Sequence, residues 1–344
     1  MQCYLRLFQF ELGRLHLRCF DSAWWQRCVR FTPELTKHQL PFFDINCIKA
    51  YSYMKWHIIA GAMPYGPLRN IADLRSLLWP FLLTCLTRVC WQQDLWLCIP
   101  ILMYFTFSCA CIAHNSMHCR VFYWNSLEEL WRIVLSLSYN HPVNTFIPGH
   151  NKSHHIFLQQ EKDLMRTNQM RFKTPLLNLL LFMPTVAPNV FYNDTKYMIH
   201  CWKEAKAHHK WCRYTLTTCI QLLCVFIVNA FLLKHNMRKA LLYWWLPRFW
   251  AQYAIVTINM LQHDGCDLED KKNMNFARNF TDPTLNWLLF NNGYHTAHHL
   301  MPNSHWTQLP ELQRRIVMPY IDSRFNEPSM MWYIWRTYIY TNKK

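Results

Sequence analysis

Apolar runs and the polar breaks between them divide the chain before any motif is considered. From Leu77 to Ala113 the sequence is largely apolar, with one break at Arg88–Asp94. A helix needs about 20 residues to cross the hydrocarbon core. The two arms fall somewhat short of that, yet Trp79, Trp91 and Trp96 stand where interfacial anchors belong. The pattern predicts a tight helical hairpin with spans over about 77–90 and 95–113. A second hairpin follows. Tyr214–Leu233 carries no charge, Lys234–Lys239 forms a turn, and Ala240–Met260 is a fourth apolar run blemished by Pro247 and Arg248.

Between the hairpins, Leu127, Leu130, Trp131, Val134 and Leu135 recur at helical spacing and predict an amphipathic helix. The apolar stretch 174–192 is interrupted by Pro184 and Pro188, which predicts an in-plane helix and not a span. The expected fold is therefore an all-α integral membrane protein: four transmembrane helices in two hairpins, with a cytosolic helical cap. Residues 1–70 would form an interfacial segment, 71–322 the membrane domain and 323–344 a C-terminal tail. Residues 1–30 mix arginine with apolar side chains and lack the apolar core of a secretory signal. An amphipathic surface helix is favoured there over an organelle-targeting peptide.

Composition narrows the function classes. The net charge of +16 suits nucleic acid, anionic lipid or an acidic partner. The apolar runs favour the last two, and no nucleic-acid-binding signature is found. Only six glycines are present and no phosphate-binding glycine loop. The 15 cysteines contain no Cys-x-x-Cys pair, and several lie in apolar runs. They read as reduced thiols facing a reducing compartment.

The histidines change the picture. Three of the 18 fall within five positions, His295, His298 and His299. Upstream stand His114 and His118, then His150, His154 and His155, and His263 lies between the second and third groups. Residues four apart share a helix face, so each cluster should direct its imidazoles at one locus. A single such pair arises often by chance. Three clusters at the mouths of predicted spans, on one side of the membrane, do not. Imidazole suits Fe, Zn, Cu and Ni, and eight or nine nitrogens exceed what one tetrahedral zinc can use. Two metals sharing the set is the economical reading. Asp163, Asp264 and Asp267 are candidates to hold the outer ring nitrogens, and His141 and His305 lie near the clusters. The chain has neither the Glu-x-x-His pairs of soluble di-iron bundles nor His-Glu-x-x-His.

The pattern HxxxH, HxxxHH, HxxHH resembles the membrane fatty acid desaturase superfamily, which includes hydroxylases. The flanks Pro148–His155 and Phe290–Pro302 are similar to the second and third boxes of bacterial-type and algal members. The resemblance covers roughly residues 70–320. It implies nine histidine ligands divided between two irons: the eight in the boxes plus His263. It also implies that Asn259 reaches an iron through water. O2 would be the co-substrate, a lipid acyl chain the substrate, and cytochrome b5 or ferredoxin a separate electron donor, since His141-Pro142-Val143-Asn144 is not a fused heme motif. The membrane would be endoplasmic reticulum or plastid in a eukaryote and the inner membrane in a bacterium, with the histidine face cytosolic or stromal. Hydroxylation by the same site and a non-catalytic lipid-binding role are the alternatives.

Overall fold

The computed structural model describes residues 66–169, 171–268 and 273–340; the expected N-terminal amphipathic or targeting segment lies outside them. Helices dominate. We label α1 (Asp73–Gln93), α2 (Ile99–His118), α3 (Asn125–Tyr139), α4 (Pro175–Ala207), α5 (Arg213–His235), α6 (Leu246–His263) and α7 (His295–Leu300). The strands described are β1 (Asn279–Phe280) and β2 (Asn326–Glu327), which pair in parallel.

Helix α2 is the axis of the fold. A 3-10 turn over Trp96–Cys98 leads into it, and Pro100 occupies its first turn, where the missing N–H is harmless. Every residue from Ser108 to His114 is buried, so this end has no solvent or lipid face. α6 packs along α2 and is buried from Ile258 to His263. α3 is the predicted amphipathic helix. It buries Trp131 and Leu135 and leaves Leu130 outward, while Glu128 in its first turn accepts from the Val121 and Phe122 N–H groups.

Among the described residues, three helical stretches are long and apolar enough to cross a membrane: Trp96–His118, Pro175–Ala207 and Arg213–His235. Their burial differs. In the most apolar window of each, 44% of the first is buried, against 11% and 17% for the other two. α4 and α5 therefore face outward with apolar side chains such as Leu180, Phe191, Leu223, Phe226 and Phe231, a surface suited to lipid. The expected spans 77–90 and 240–260 both fall on helices but do not reach this mark. α1 carries Asp73, Arg75 and Arg88, and the second is split into a π turn over Leu241–Trp245 and α6, which holds a buried Arg248.

The stretch 174–192, expected as a short helix broken by its prolines, is continuous. It opens a single helix of 33 residues. Pro184 and Pro188 are both exposed and four apart, so both backbone defects lie on one side. Leu179, Phe182 and Val186 form the buried stripe on the other. The region beyond 322, expected as a tail, docks back. β2 pairs with β1, and Tyr333 and Tyr338 pack with Leu179, Phe182 and Phe280.

Candidate metal centre

Four segments deliver histidines. The last turn of α2 supplies His114 and His118, a π-helical segment over Ile147–His154 supplies His150 and His154 with His155 next to it, the end of α6 supplies His263, and α7 supplies the rest. The structure gathers all nine, in two sets. His114, His118, His150, His155 and His298 surround one locus; His154, His263, His295 and His299 surround the other. Within each set the ligand atoms lie within 4.8 Å of one another.

This sorting corrects one expectation. Only the first cluster serves a single locus. The second and third each keep their outer two histidines together and send the middle one, His154 or His298, across to the other locus. Backbone geometry explains the second case. At about 100° per residue an α-helix would put His155 roughly 140° round from His150. In a π turn residue i+5 returns close to residue i, and the Nε2 atoms of His150 and His155 are 3.0 Å apart.

The nitrogen spacings test whether a metal fits. Nε2 of His263 lies 2.9 Å from that of His295 and 3.2 Å from that of His299, and the latter two are 3.1 Å apart. The His263 Nδ1 is 3.2 Å from the Phe276 carbonyl, which can accept only if that nitrogen carries the proton. Its Nε2 then presents a lone pair. One shared proton cannot satisfy a triangle of three such nitrogens; a cation at the centre can. About 3 Å is also the edge between ligands at right angles when each nitrogen is about 2.1 Å from a shared ion. The other locus repeats the spacing: His114 to His150 2.8 Å and His155 to His298 3.1 Å. His155 and His299 stack across the two sets with ring centroids 4.3 Å apart.

The electrostatics agree. Burial, and then the neighbouring imidazoles, push His150, His155, His295, His298 and His299 well below the ordinary histidine range. The rings are therefore neutral, the form that binds a metal. Asp163 is fully buried and accepts from His154 Nδ1 at 2.8 Å. Burial alone would raise its carboxyl. The hydrogen bonds from His154 and from the Gln159 and Met165 N–H groups outweigh that and hold it below the usual range. This pairing leaves the His154 Nε2 free for the metal.

Other sequence candidates sit elsewhere. Asp264 contacts Arg171 and the Tyr338 hydroxyl. Asp267 accepts from Asn273. His305 pairs with Asp73. His141 lines a cavity beside the centre. Asn259 lies one turn before His263, and both its amide atoms are buried without a partner, as a group that reaches the ion through water would be.

Several supporting residues carry no signal in the sequence. Asn279 accepts from the Thr296 N–H and donates to its hydroxyl, which fixes the second residue of α7. Asn286 donates to the Phe280 carbonyl and accepts from the Gly293 N–H. A Cβ on Gly293 would fall 2.2 Å from the Phe280 oxygen, so only glycine fits at this turn. Arg278 donates to the Leu261 and Asp264 carbonyls at the end of α6. Polar residues inside the boxes also tie them together. Asn115 donates to the Phe290 carbonyl, Asn151 to that of Met117, and Gln262 to that of Asn292.

A cavity of about 330 Å³ opens from the centre between α4, α6 and the π segment. His114, His150, His295 and Asn259 close one end, and Phe146, Val186, Ile255 and Val256 contribute to an apolar wall.

No curated protein and no solved structure matches the chain. Residues 94–327 match the family model of the fatty acid desaturases, a range that takes in all nine histidines, Asn259 and Asp163. A two-locus histidine centre, membrane-capable helices and this match over well over half of the chain agree: the protein belongs to the fatty acid desaturase family, the oxidoreductases of the membrane desaturase and hydroxylase superfamily.

Proposed function

We propose that this chain is a multi-pass membrane desaturase that introduces a double bond into a lipid acyl chain, using O2 and two electrons from a separate donor. The observation that carries this reading is the apolar cavity ending at His114, His150 and His295. It is within the size range of small-molecule sites and lined mainly by side chains that cannot react. Two irons held by the nine histidines would supply the power to remove hydrogen from an unactivated C–H bond. The rest falls to this chain's residues. Asp163 and the Phe276 carbonyl fix the protons of His154 and His263 on Nδ1. Asn259, whose amide atoms are buried without a partner, would reach an iron through water. Phe146, Val186, Ile255 and Val256 line the alkyl chain and keep bulk water out. The charge of +16 favours an acidic donor, either cytochrome b5 or ferredoxin. The histidine face belongs on the cytosolic or stromal side.

Expression of the full chain in yeast, followed by mass spectrometry of total lipids, tests this reading. A new lipid lacking two hydrogens is expected. A lipid that has instead gained one oxygen assigns hydroxylation. Folded protein loaded under reducing conditions that holds fewer than about one iron per chain counts against both.

A further inference from the structure

The apolar cavity holds one carboxyl, Asp194, and the metal centre does not use it. Asp194 lies on the buried stripe of α4, continuing the line of Phe182 and Val186, inside a stretch able to cross a membrane. It is 7% exposed, and its Oδ1 is buried without a hydrogen-bond partner. Burying a carboxyl without a partner is costly, and such a residue within a membrane helix points to a ligand pathway. Asp194 is also close to the centre. A Cβ on Gly149, the residue before His150, would lie 3.4 Å from its Oδ1 and 3.2 Å from Val190. The carboxyl therefore lies in van der Waals reach of the ligand-bearing segment.

Two other polar groups of the lining present acceptors, while Tyr139, His141 and Asn259 are able to donate. Gln252 gives its amide hydrogens to the Tyr139 and Asn140 carbonyls, so its oxygen is what it can offer the cavity. Thr145 gives its hydroxyl hydrogen to the Pro142 carbonyl. An unpartnered carboxyl oxygen in an apolar chamber, with the Gln252 and Thr145 acceptors in the same lining, suits a ligand that brings a donor.

We propose that Asp194 is a specificity-determining residue that accepts a hydrogen bond from a hydroxyl or amine on the lipid substrate, close to the carbon held at the histidines. The preferred substrate thus carries a hydroxyl or amine donor near its alkyl chain, which a plain acyl ester lacks. This rests on the proposed oxidation of a lipid chain and names its class. Fixing the donor group also fixes which carbon stands at the centre.

The test uses the full chain in neutral phosphatidylcholine nanodiscs and two probes, 1-octadecanol and its methyl ether, read by displacement of tritiated 1-octadecanol. They share the alkyl chain; only the alcohol can donate. The wild type should bind the alcohol about tenfold more tightly. Asp194→Leu should erase the preference and leave the ether's affinity intact. Asp194→Asn keeps an oxygen acceptor and should retain roughly threefold. Equal affinities in the wild type, a preference that survives Asp194→Leu, or equal loss of both probes in the two variants would overturn the proposal. If Asp194→Leu does not fold, an undiminished preference in Asp194→Asn overturns it and a reduced one supports it. Failure here is separable from failure of the parent reading. A wild type that desaturates lipid without preferring the alcohol refutes only the role of Asp194. One that prefers the alcohol but yields no oxidised lipid refutes only the reaction.

Discussion

Replacing Asp163 with asparagine should release one metal and spare the other. In the native carboxylate, Oδ2 accepts from His154 Nδ1 and the Gln159 N–H, and Oδ1 accepts from the Met165 N–H, each at 2.8 Å. An asparagine has one oxygen. Placed on the edge with two donors, it leaves its NH2 facing the Met165 N–H, donor against donor. One bond to a charged acceptor is lost, worth about 1.5–3 kcal/mol, and the two that remain are weakened. His154 then loses part of the grip that fixes its tautomer. Removing such a partner weakens metal affinity about 10–100-fold, or roughly 1.4–2.7 kcal/mol. His154 serves only the four-histidine locus, so the five-histidine locus should keep its affinity. The assay is iron per chain against buffered free iron, with thermal unfolding of the same samples. Asp163→Asn should show two separated steps, one near the wild-type position and one displaced by 10–100-fold. Two irons held as in the wild type, or both lost in parallel by a folded variant, would refute the reasoning.

Three further outcomes are expected. His298→Ala and His295→Ala remove ligands from different loci; each should lower iron by about one per chain and abolish product, and full activity in either sinks the ligand assignment. Gly293→Ala forces a Cβ against the Phe280 carbonyl oxygen and the Asn286 side chain. The backbone must move, so a loss of about 3 kcal/mol or more in unfolding free energy is expected, and an unchanged Tm would contradict it. The third outcome concerns pH. In the folded chain His150, His155, His295, His298 and His299 titrate well below their ordinary value of 6.5, so below that pH the unfolded chain binds more protons. Stability and iron retention should therefore fall as the pH drops from about 6.5, by up to roughly 1.4 kcal/mol per pH unit for each such ring. Tm measured between pH 7.5 and 5 checks the sign; a Tm that rises on acidification would refute it.

The nine histidines that gather at the centre were legible in the sequence and their sorting was not, for a physical reason. His114 and His118 obey α-helical spacing, and the structure keeps them together. His150 and His154 lie on a π segment with His155 next to it, and no residue pattern reveals a change of helical pitch. Asp163 was legible as an acid near a box, but Asp264, chosen on the same ground, turned to Arg171 and Tyr338. Asn279, Asn286 and Arg278 were unreadable because a buried polar residue and a solvated one look alike until a partner is known. The prolines at 184 and 188 misled because a proline breaks a helix only where its lost bond cannot be tolerated, and here both fall on the exposed side. The two hairpins were half legible: apolar runs marked the helices, but α6 is apolar because the protein buries it.

The second and third boxes differ in length by one residue, HxxxHH against HxxHH, and in pitch by one residue per turn, π against α. The two differences cancel. An α-helix with one residue inserted becomes a π turn, so each box spreads its three rings in the same fan, with the outer pair at one locus and the middle ring at the other. The box carrying the extra residue takes the opposite locus. The centre thus has an approximate two-fold character in a chain without visible internal repetition. A single-codon deletion among residues 151–153 would turn HxxxHH into HxxHH, and relaxation of the π turn to α would bring the rings back toward the same fan. Length variation at this box is therefore a change the centre can absorb, whereas in the third box the α turn has no spare residue to give up.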